Sequence, residues 1–346
     1  MDSTLNQIRG MRSVLLACAL AGMLGAGPAR VVAQAVVDTS AGAVAASPQT
    51  ANAVDIAGLD LDWIDESRKR AVPVRLYMPP GASADRPVPL VVFSHGIGGS
   101  RLGYSYLGRF WASQGYASLH LQHVGSDRDL WGGSRLGLIW RLHGAAQEEE
   151  AIARVADLRF ALDQVLAHAE LGPRINPARI VAAGHSYGAN TVMLASGAQV
   201  ERNGRVLNLA DARIKAAILL SAPPFYGETD MAKILGAIKV PSLHITATGD
   251  EIRIPGYFSG AEDRIAVFEA MTGPRKALAV FEGGSHSMFT DRGGRGEGGP
   301  NPQVKVATRE LALAFMASVF DRDESALAQW PKRFAAILSR FTASVR

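Results

Sequence analysis

Gly184-His185-Ser186-Tyr187-Gly188 sets a serine between two glycines in the order G-x-S-x-G. An apolar run, Arg179–Ala183, precedes it and a helix-like run, Ala189–Ser196, follows. In that setting the pattern describes a sharp strand-to-helix turn that holds the serine hydroxyl above the end of a sheet. Bulky side chains at 184 or 188 would collide with the adjoining strand and helix, which is the reason for glycine at both. The start of the helix also brings backbone N–H groups beside the reacting oxygen. Five residues are a short pattern in a chain with 36 glycines, so the flanking elements carry the assignment.

A serine hydroxyl attacks only when a base takes its proton. On a strand–turn–helix platform of this kind the chain order is serine, acid, histidine. Of eight histidines, His244 and His286 follow Ser186. His244 lies inside the strand-like run Ser242–Thr248, whereas His286 lies in Gly283-Gly284-Ser285-His286-Ser287, a loop straight after another strand. His286 is the expected base. The acid belongs in the loop closing an intervening strand, where Thr248-Gly249-Asp250-Glu251 stands. Asp250 is expected to orient the imidazole and stabilise its protonated form. Glu251 is the adjacent alternative, and Glu228 and Asp230 are weaker ones.

The negative oxygen formed by attack on a carbonyl needs two preorganised donors. Ser94-His95-Gly96-Ile97-Gly98-Gly99 follows the buried-strand pattern Pro89–Ser94. The backbone N–H groups of Ile97 and Tyr187 are the expected pair, with Gly98 as the alternative to Ile97. His95 is read as a structural residue of that loop, and His185 as packing beneath the serine turn. His120 and His123, three apart on a strand, project to opposite faces and cannot chelate jointly. No H-E-x-x-H, P-loop or dinucleotide fingerprint occurs, so no metal or nucleotide cofactor is implied. Trp131, Trp140 and Leu138 either line a substrate pocket or form the small core of an insertion, and Phe289 is a further pocket candidate beside His286. The Gly-rich stretch Arg292–Pro300 is a surface loop or a rim of the site.

These groups must be held by regular elements. Two strands, near Val54–Ile64 and Ala71–Tyr77, read as an edge hairpin. Strands follow at Pro89–Ser94, Ala117–His123, Arg179–Gly184, Ile214–Ser221, Ser242–Thr248 and Ala277–Phe281. Helices fall at Tyr104–Gln114, Glu148–Ala169, Gly188–Gly197, Ala261–Met271 and Val304–Val319. Residues 124–146 read as irregular, and Glu324–Phe341 as an outer amphipathic segment that Pro331 breaks or restarts. Alternation of apolar strands with helices implies an α/β fold, a doubly wound, mostly parallel sheet of about eight strands with helices on both faces. One catalytic domain over 54–346, with the 124–146 insertion near its pocket, fits the length of 346 residues.

The formal charge is +4, without a long basic run, which argues against a nucleic-acid partner. Arg9 and Arg12, the apolar run Val14–Leu24 and the small-residue site Ala33-Gln34-Ala35 together read as a signal peptide over 1–35. Met11 is an alternative start, and 36–53 is a flexible lead-in. The expected location is periplasmic or extracellular, with no stable membrane span after removal. Cys18, the one cysteine, lies inside that apolar run, so a thiol nucleophile, a cysteine metal site and a disulfide framework are all excluded. Leu15-Leu16-Ala17-Cys18 only faintly matches a lipoprotein site.

At Ser94–Gly99, Gly184–Gly188, Thr248–Asp250 and Gly283–Ser287 the chain resembles the α/β-hydrolase superfamily. Over SHGIGGSRLGYSYLGRFWASQGY and HITATGDEIRIPGYFSGAEDRIAVFEAM it resembles the dienelactone hydrolase-like group, which is related to secreted platelet-activating-factor acetylhydrolases and bacterial polyester hydrolases. The resemblance spans about residues 60–320. It implies metal-free hydrolysis of small-molecule or polymeric carboxylic esters. True dienelactone hydrolases carry a cysteine nucleophile where this chain has Ser186, which favours ordinary acyl esters over dienelactone. The competing readings are a serine peptidase or amidase on the same fold, and an exported binding protein without catalysis.

Overall fold

The computed structural model describes residues 56–345 apart from 203, 226, 255–256 and 292–301. The expected leader, the lead-in and the Arg292–Pro300 loop lie outside the described residues. In chain order the strands are β1 (Gly58–Asp65), β2 (Arg70–Tyr77), β3 (Val88–Ser94), β4 (Ala117–Leu121), β5 (Ile175–His185), β6 (Gln199–Arg202), β7 (Arg205–Asn208), β8 (Ile214–Leu220), β9 (Ser242–Ala247), β10 (Ile252–Ile254), β11 (Tyr257–Ser259), β12 (Arg275–Phe281) and β13 (Leu338–Val345). The helices are α1 (Ser105–Ser113), α2 (Arg135–Ala145), α3 (Glu148–Ala167), α4 (Tyr187–Ala195), α5 (Met231–Leu235), α6 (Ala261–Ala270), α7 (Pro302–Phe320) and α8 (Ser325–Arg333).

Nine strands form one sheet in the order β1-β2-β4-β3-β5-β8-β9-β12-β13. From β4 through β12 every neighbouring pair is parallel. The β1–β2 hairpin joins antiparallel to β4 at one edge, and β13 joins antiparallel to β12 at the other. This is the α/β-hydrolase fold. The central strands are apolar throughout because both their faces are covered. Alternation sorts their side chains: Leu90 and Val92 of β3 enter the core shared with α3 and α4, while Val91 and Phe93 enter the core shared with α1, α7 and α8. The strand order reverses between β3 and β5, which opens a crevice beyond their carboxyl ends.

The structure differs from the sequence reading at the sheet's outer edge and in the insertion, and it adds the short hairpins β6–β7 and β10–β11 and the helix α5. The sheet has nine strands rather than about eight, because the outer segment is α-helical only to Arg333 and, after a 3₁₀ turn, Ala335–Ile337, its end pairs as β13 with β12 from Arg275 to Phe281. Pro331 sits inside α8 near its end, where few helical bonds remain to be lost. Residues 124–146 are not irregular: they hold a 3₁₀ turn, Arg128–Trp131, capped by Asp127, and then α2, capped by Ser134.

Candidate active site

Four loops at the carboxyl ends of β3, β5, β9 and β12 converge on the crevice. Ser186 stands between β5 and α4 with φ 55° and ψ −121°, a conformation that costs a non-glycine residue about 1–3 kcal/mol. The turn is held by the Ser186 N–H, which donates to the Leu220 carbonyl at 2.9 Å. A Cβ at Gly184 would overlap the Gly188 carbonyl, and one at Gly188 would overlap the Ser94 carbonyl. Both glycines are therefore needed for the strand, the helix and the β3 loop to approach.

His286 Nε2 lies 2.8 Å from Ser186 Oγ, and its Nδ1 lies 2.7 Å from Asp250 Oδ1. A carboxylate only accepts, so Nδ1 carries the proton and Nε2 is left to accept from the serine. Asp250 is fully buried and its other oxygen accepts from Thr246 Oγ1 at 2.7 Å. Burial alone would raise its pKa, but the His286 ring and then the Arg264 guanidinium, 3.7 Å away, outweigh that and hold the carboxyl below its usual range. The acid and histidine loops are tied together: Gly249 N–H donates to the Gly283 carbonyl at 3.1 Å, and Gly283 N–H donates to Thr248 Oγ1 at 2.7 Å. The alternatives for the acid are engaged elsewhere. Glu251 pairs with Arg253, Glu228 with Arg202, and Asp230 caps α5.

In the β3 loop the Gly98 N–H donates to the Ser126 carbonyl at 2.8 Å, and the Gly99 N–H to the Gly96 carbonyl at 3.0 Å. Gly98 is thus committed, whereas the Ile97 N–H has no acceptor among the described residues. Tyr187 opens α4, where first-turn N–H groups point out of the helix end. Gly96 packs closely on the serine turn: a Cβ there would stand 3.3 Å from that of Ser186.

The buried histidines around the site are structural. His95 Nε2 accepts from the His123 N–H at 3.1 Å, so Nδ1 carries the proton and donates to the Gly96 carbonyl at 2.6 Å. His123 bridges Ser94 and Asp157. His185 lies between the Tyr104 hydroxyl, 2.8 Å away, and the His286 carbonyl, 2.9 Å away, and so supports the loop of the base. Burial pushes His185 down to about 3 and His123 to about 4. His120 contacts Ser118 and the Gly103 carbonyl, and His244 contacts Ser242. Among the described residues no group of three or more His, Cys, Asp or Glu is placed to hold a metal ion.

The three pocket candidates fare differently. Trp131 packs on the β3 loop, its indole N–H donating to the Gly98 carbonyl at 2.9 Å. Trp140 is 77% exposed. Phe289 is 0% exposed and packs behind His185 in the core, so it offers no surface to a substrate. The insertion has its own small core, with Leu130, Leu142 and Ala145 packed against Ile97 and Leu138. Sequence reasoning passed over Arg154. Its guanidinium is buried and contacts both the β3 loop and α4.

A buried carboxylate, a histidine and a strained serine in hydrogen-bonded sequence, beside backbone donors, are the parts needed for acyl transfer from an ester or amide. Residues 68–128 match the family described as platelet-activating factor acetylhydrolase, isoform II, a family of ester hydrolases. That stretch contains the β3 loop with Ile97 and the buried His95 and His123. No curated protein matches the chain. Among the described residues no helix is long and apolar enough to cross a membrane.

Proposed function

We propose that this chain, an α/β-hydrolase related to the platelet-activating factor acetylhydrolase family, cleaves carboxylic esters through an acyl-enzyme on Ser186. The observation that carries the reading is the continuous contact from Asp250 through His286 to the Ser186 hydroxyl, 2.7 Å and then 2.8 Å. His286 takes the hydroxyl proton as Ser186 Oγ attacks the ester carbonyl. The resulting oxyanion is held by the Ile97 and Tyr187 N–H groups. The protonated His286 gives its proton to the departing alkoxide, and the acyl group stays on Ser186. His286 then takes a proton from water, the hydroxide attacks the acyl carbonyl, and the acid leaves as the serine regains its proton. The absence of any cysteine after position 18 supports serine rather than thiol chemistry. The reading includes export, supported by Arg9, Arg12, the apolar run Val14–Leu24 and Ala33-Gln34-Ala35.

The test is hydrolysis of a p-nitrophenyl ester series, acetate to palmitate, by protein starting at Val36 and by its Ser186→Ala variant. Turnover that vanishes in the variant is expected, and the preferred chain length sizes the pocket. No turnover on any ester by the folded protein overturns the esterase reading. Cleavage of anilides at rates rivalling the esters would replace it with an amidase.

A further inference from the structure

Arg154 is wholly buried in α3, a helix that contributes no residue to the triad. Each of its guanidinium nitrogens has a defined acceptor. Nε donates to Thr191 Oγ1 at 3.0 Å, Nη1 donates to Ser126 Oγ at 2.8 Å, and Nη2 donates to the His95 carbonyl. Its guanidinium carbon lies 4.5 Å from the centre of the Tyr187 ring. Every hydrogen-bond acceptor is a neutral oxygen, and among the described residues no carboxylate lies within ion-pair distance of the group. The nearest compensation is indirect, through Ser126 Oγ, which donates to Glu150 at 2.6 Å.

These contacts fall on the supports of both expected oxyanion donors. His95 lies two residues before Ile97, in the same loop. Ser126 fixes that loop from the other side, because its carbonyl accepts the Gly98 N–H at 2.8 Å. Thr191 is one turn into α4 and its hydroxyl also donates to the Tyr187 carbonyl at 3.1 Å. A planar fork with fixed angles between its donors therefore sets the spacing between the β3 loop and the start of α4. A buried cation with only neutral partners is costly to fold. The cost has a use where negative charge develops nearby during a reaction, since a fixed charge in a dry site needs no reorganisation.

We infer that Arg154 is the positioning residue of the oxyanion hole, holding the Ile97 and Tyr187 N–H groups at transition-state spacing. The inference rests on the esterase reading. It is tested in the whole protein with p-nitrophenyl acetate, with kcat expressed per Ser186 titrated by a fluorophosphonate. Arg154→Lys keeps the charge and loses the fork, Arg154→Met loses both, and Thr191→Val removes one acceptor with little change of shape. The expected losses in kcat are about 100-fold for Met, about 10-fold for Lys and about 3-fold for Val, with KM unchanged. Inhibition by a trifluoromethyl ketone, which forms a charged tetrahedral adduct on the serine, should weaken in the same proportions. A merely structural role would lower the titratable fraction and leave kcat per site intact. Should both Arg154 variants fail to fold, Thr191→Val decides. Values of kcat per site within twofold of wild type, or a raised KM at unchanged kcat, overturn the inference. Absence of Ser186-dependent turnover in the wild type overturns the esterase reading and this inference with it. Wild-type turnover with unaffected variants overturns this inference alone.

Discussion

In one half of the site Asp250 after β9, His286 after β12 and Ser186 after β5 touch one another directly through their side chains. In the other half, at the β3 loop and the start of α4, the groups proposed to face the reacting oxygen are the backbone N–H groups of Ile97 and Tyr187. The β3 loop that carries Ile97 is tied by hydrogen bonds among Arg154, His95, His123 and Ser126, none of which is in the Asp250–His286–Ser186 contact. Each half also has one buried arginine. Arg264 lies 3.7 Å from Asp250 and leaves Nε and Nη2 without hydrogen-bond partners, so it acts mainly through charge. All the nitrogens of Arg154 are hydrogen-bonded, which suits the positioning role proposed for it. On the proposed mechanism the proton path is built by contact and the charge pocket by scaffolding, and the two halves should fail differently when altered.

The largest effects belong to the contact half. Ser186→Ala and His286→Ala should each lower kcat on p-nitrophenyl acetate by about a millionfold. Asp250→Asn should lower it about 10⁴-fold, because the imidazole is then held in the wrong tautomer. Equal and partial losses for all three would break the distinction between the halves. Gly188→Ala strikes the seam between them, since its Cβ would overlap the Ser94 carbonyl. It should cost about 2–4 kcal/mol of stability, read by urea unfolding, in addition to activity.

Acid should reach the buried imidazoles around the site before it reaches the Asp250 carboxylate. Burial holds His120 and His123 down to about 4, and His185 and His244 to about 3, against 6.5 for an exposed ring. Below pH 6.5 the unfolded chain takes up protons that the folded chain refuses, so stability falls as the pH drops from 6.5 toward 4. Each ring contributes about 1.4 kcal/mol per pH unit when the difference is complete. Asp250, held below its usual range, loses its contribution only under pH 3.8. Urea unfolding at pH 7 and pH 5 measures the slope, and His244→Asn should reduce it by one proton. A flat profile between those values would contradict the neutral buried rings. At the small end, Trp131→Ala should lower kcat a few-fold by releasing the Gly98 carbonyl. Trp140→Ser should leave stability within about 0.5 kcal/mol of wild type, as befits a side chain 77% exposed.

The same division governs what the sequence discloses. Ser186, Asp250 and His286 are legible because their glycine-bearing turns are local patterns and the chain order is fixed by the fold. Arg154 is not, because a single arginine after Glu148, Glu149 and Glu150 in an amphipathic helix reads as part of a solvated face. Only the tertiary fold reveals that it points inward. The helix α2 was hidden because Gly137 and Gly144 interrupt its run and Gly132 and Gly133 precede it. The strand β13 was hidden by the amphipathic run before it, although its pairing with β12 closes the sheet. Phe289, close in sequence to His286, shows the limit of neighbourhood as a guide, since its ring packs into the core. What favours Ile97 over Gly98 as the proposed donor is one long-range bond, from Gly98 to Ser126, that no local pattern encodes.

The most direct measurement of the central claim is a rapid acid quench of the reaction with p-nitrophenyl acetate, followed by peptide mass spectrometry. The account predicts an acetyl group on the peptide carrying Ser186, formed at the rate of the p-nitrophenol burst and absent in His286→Ala. An acetyl group on another residue, or turnover that survives Ser186→Ala, would contradict it.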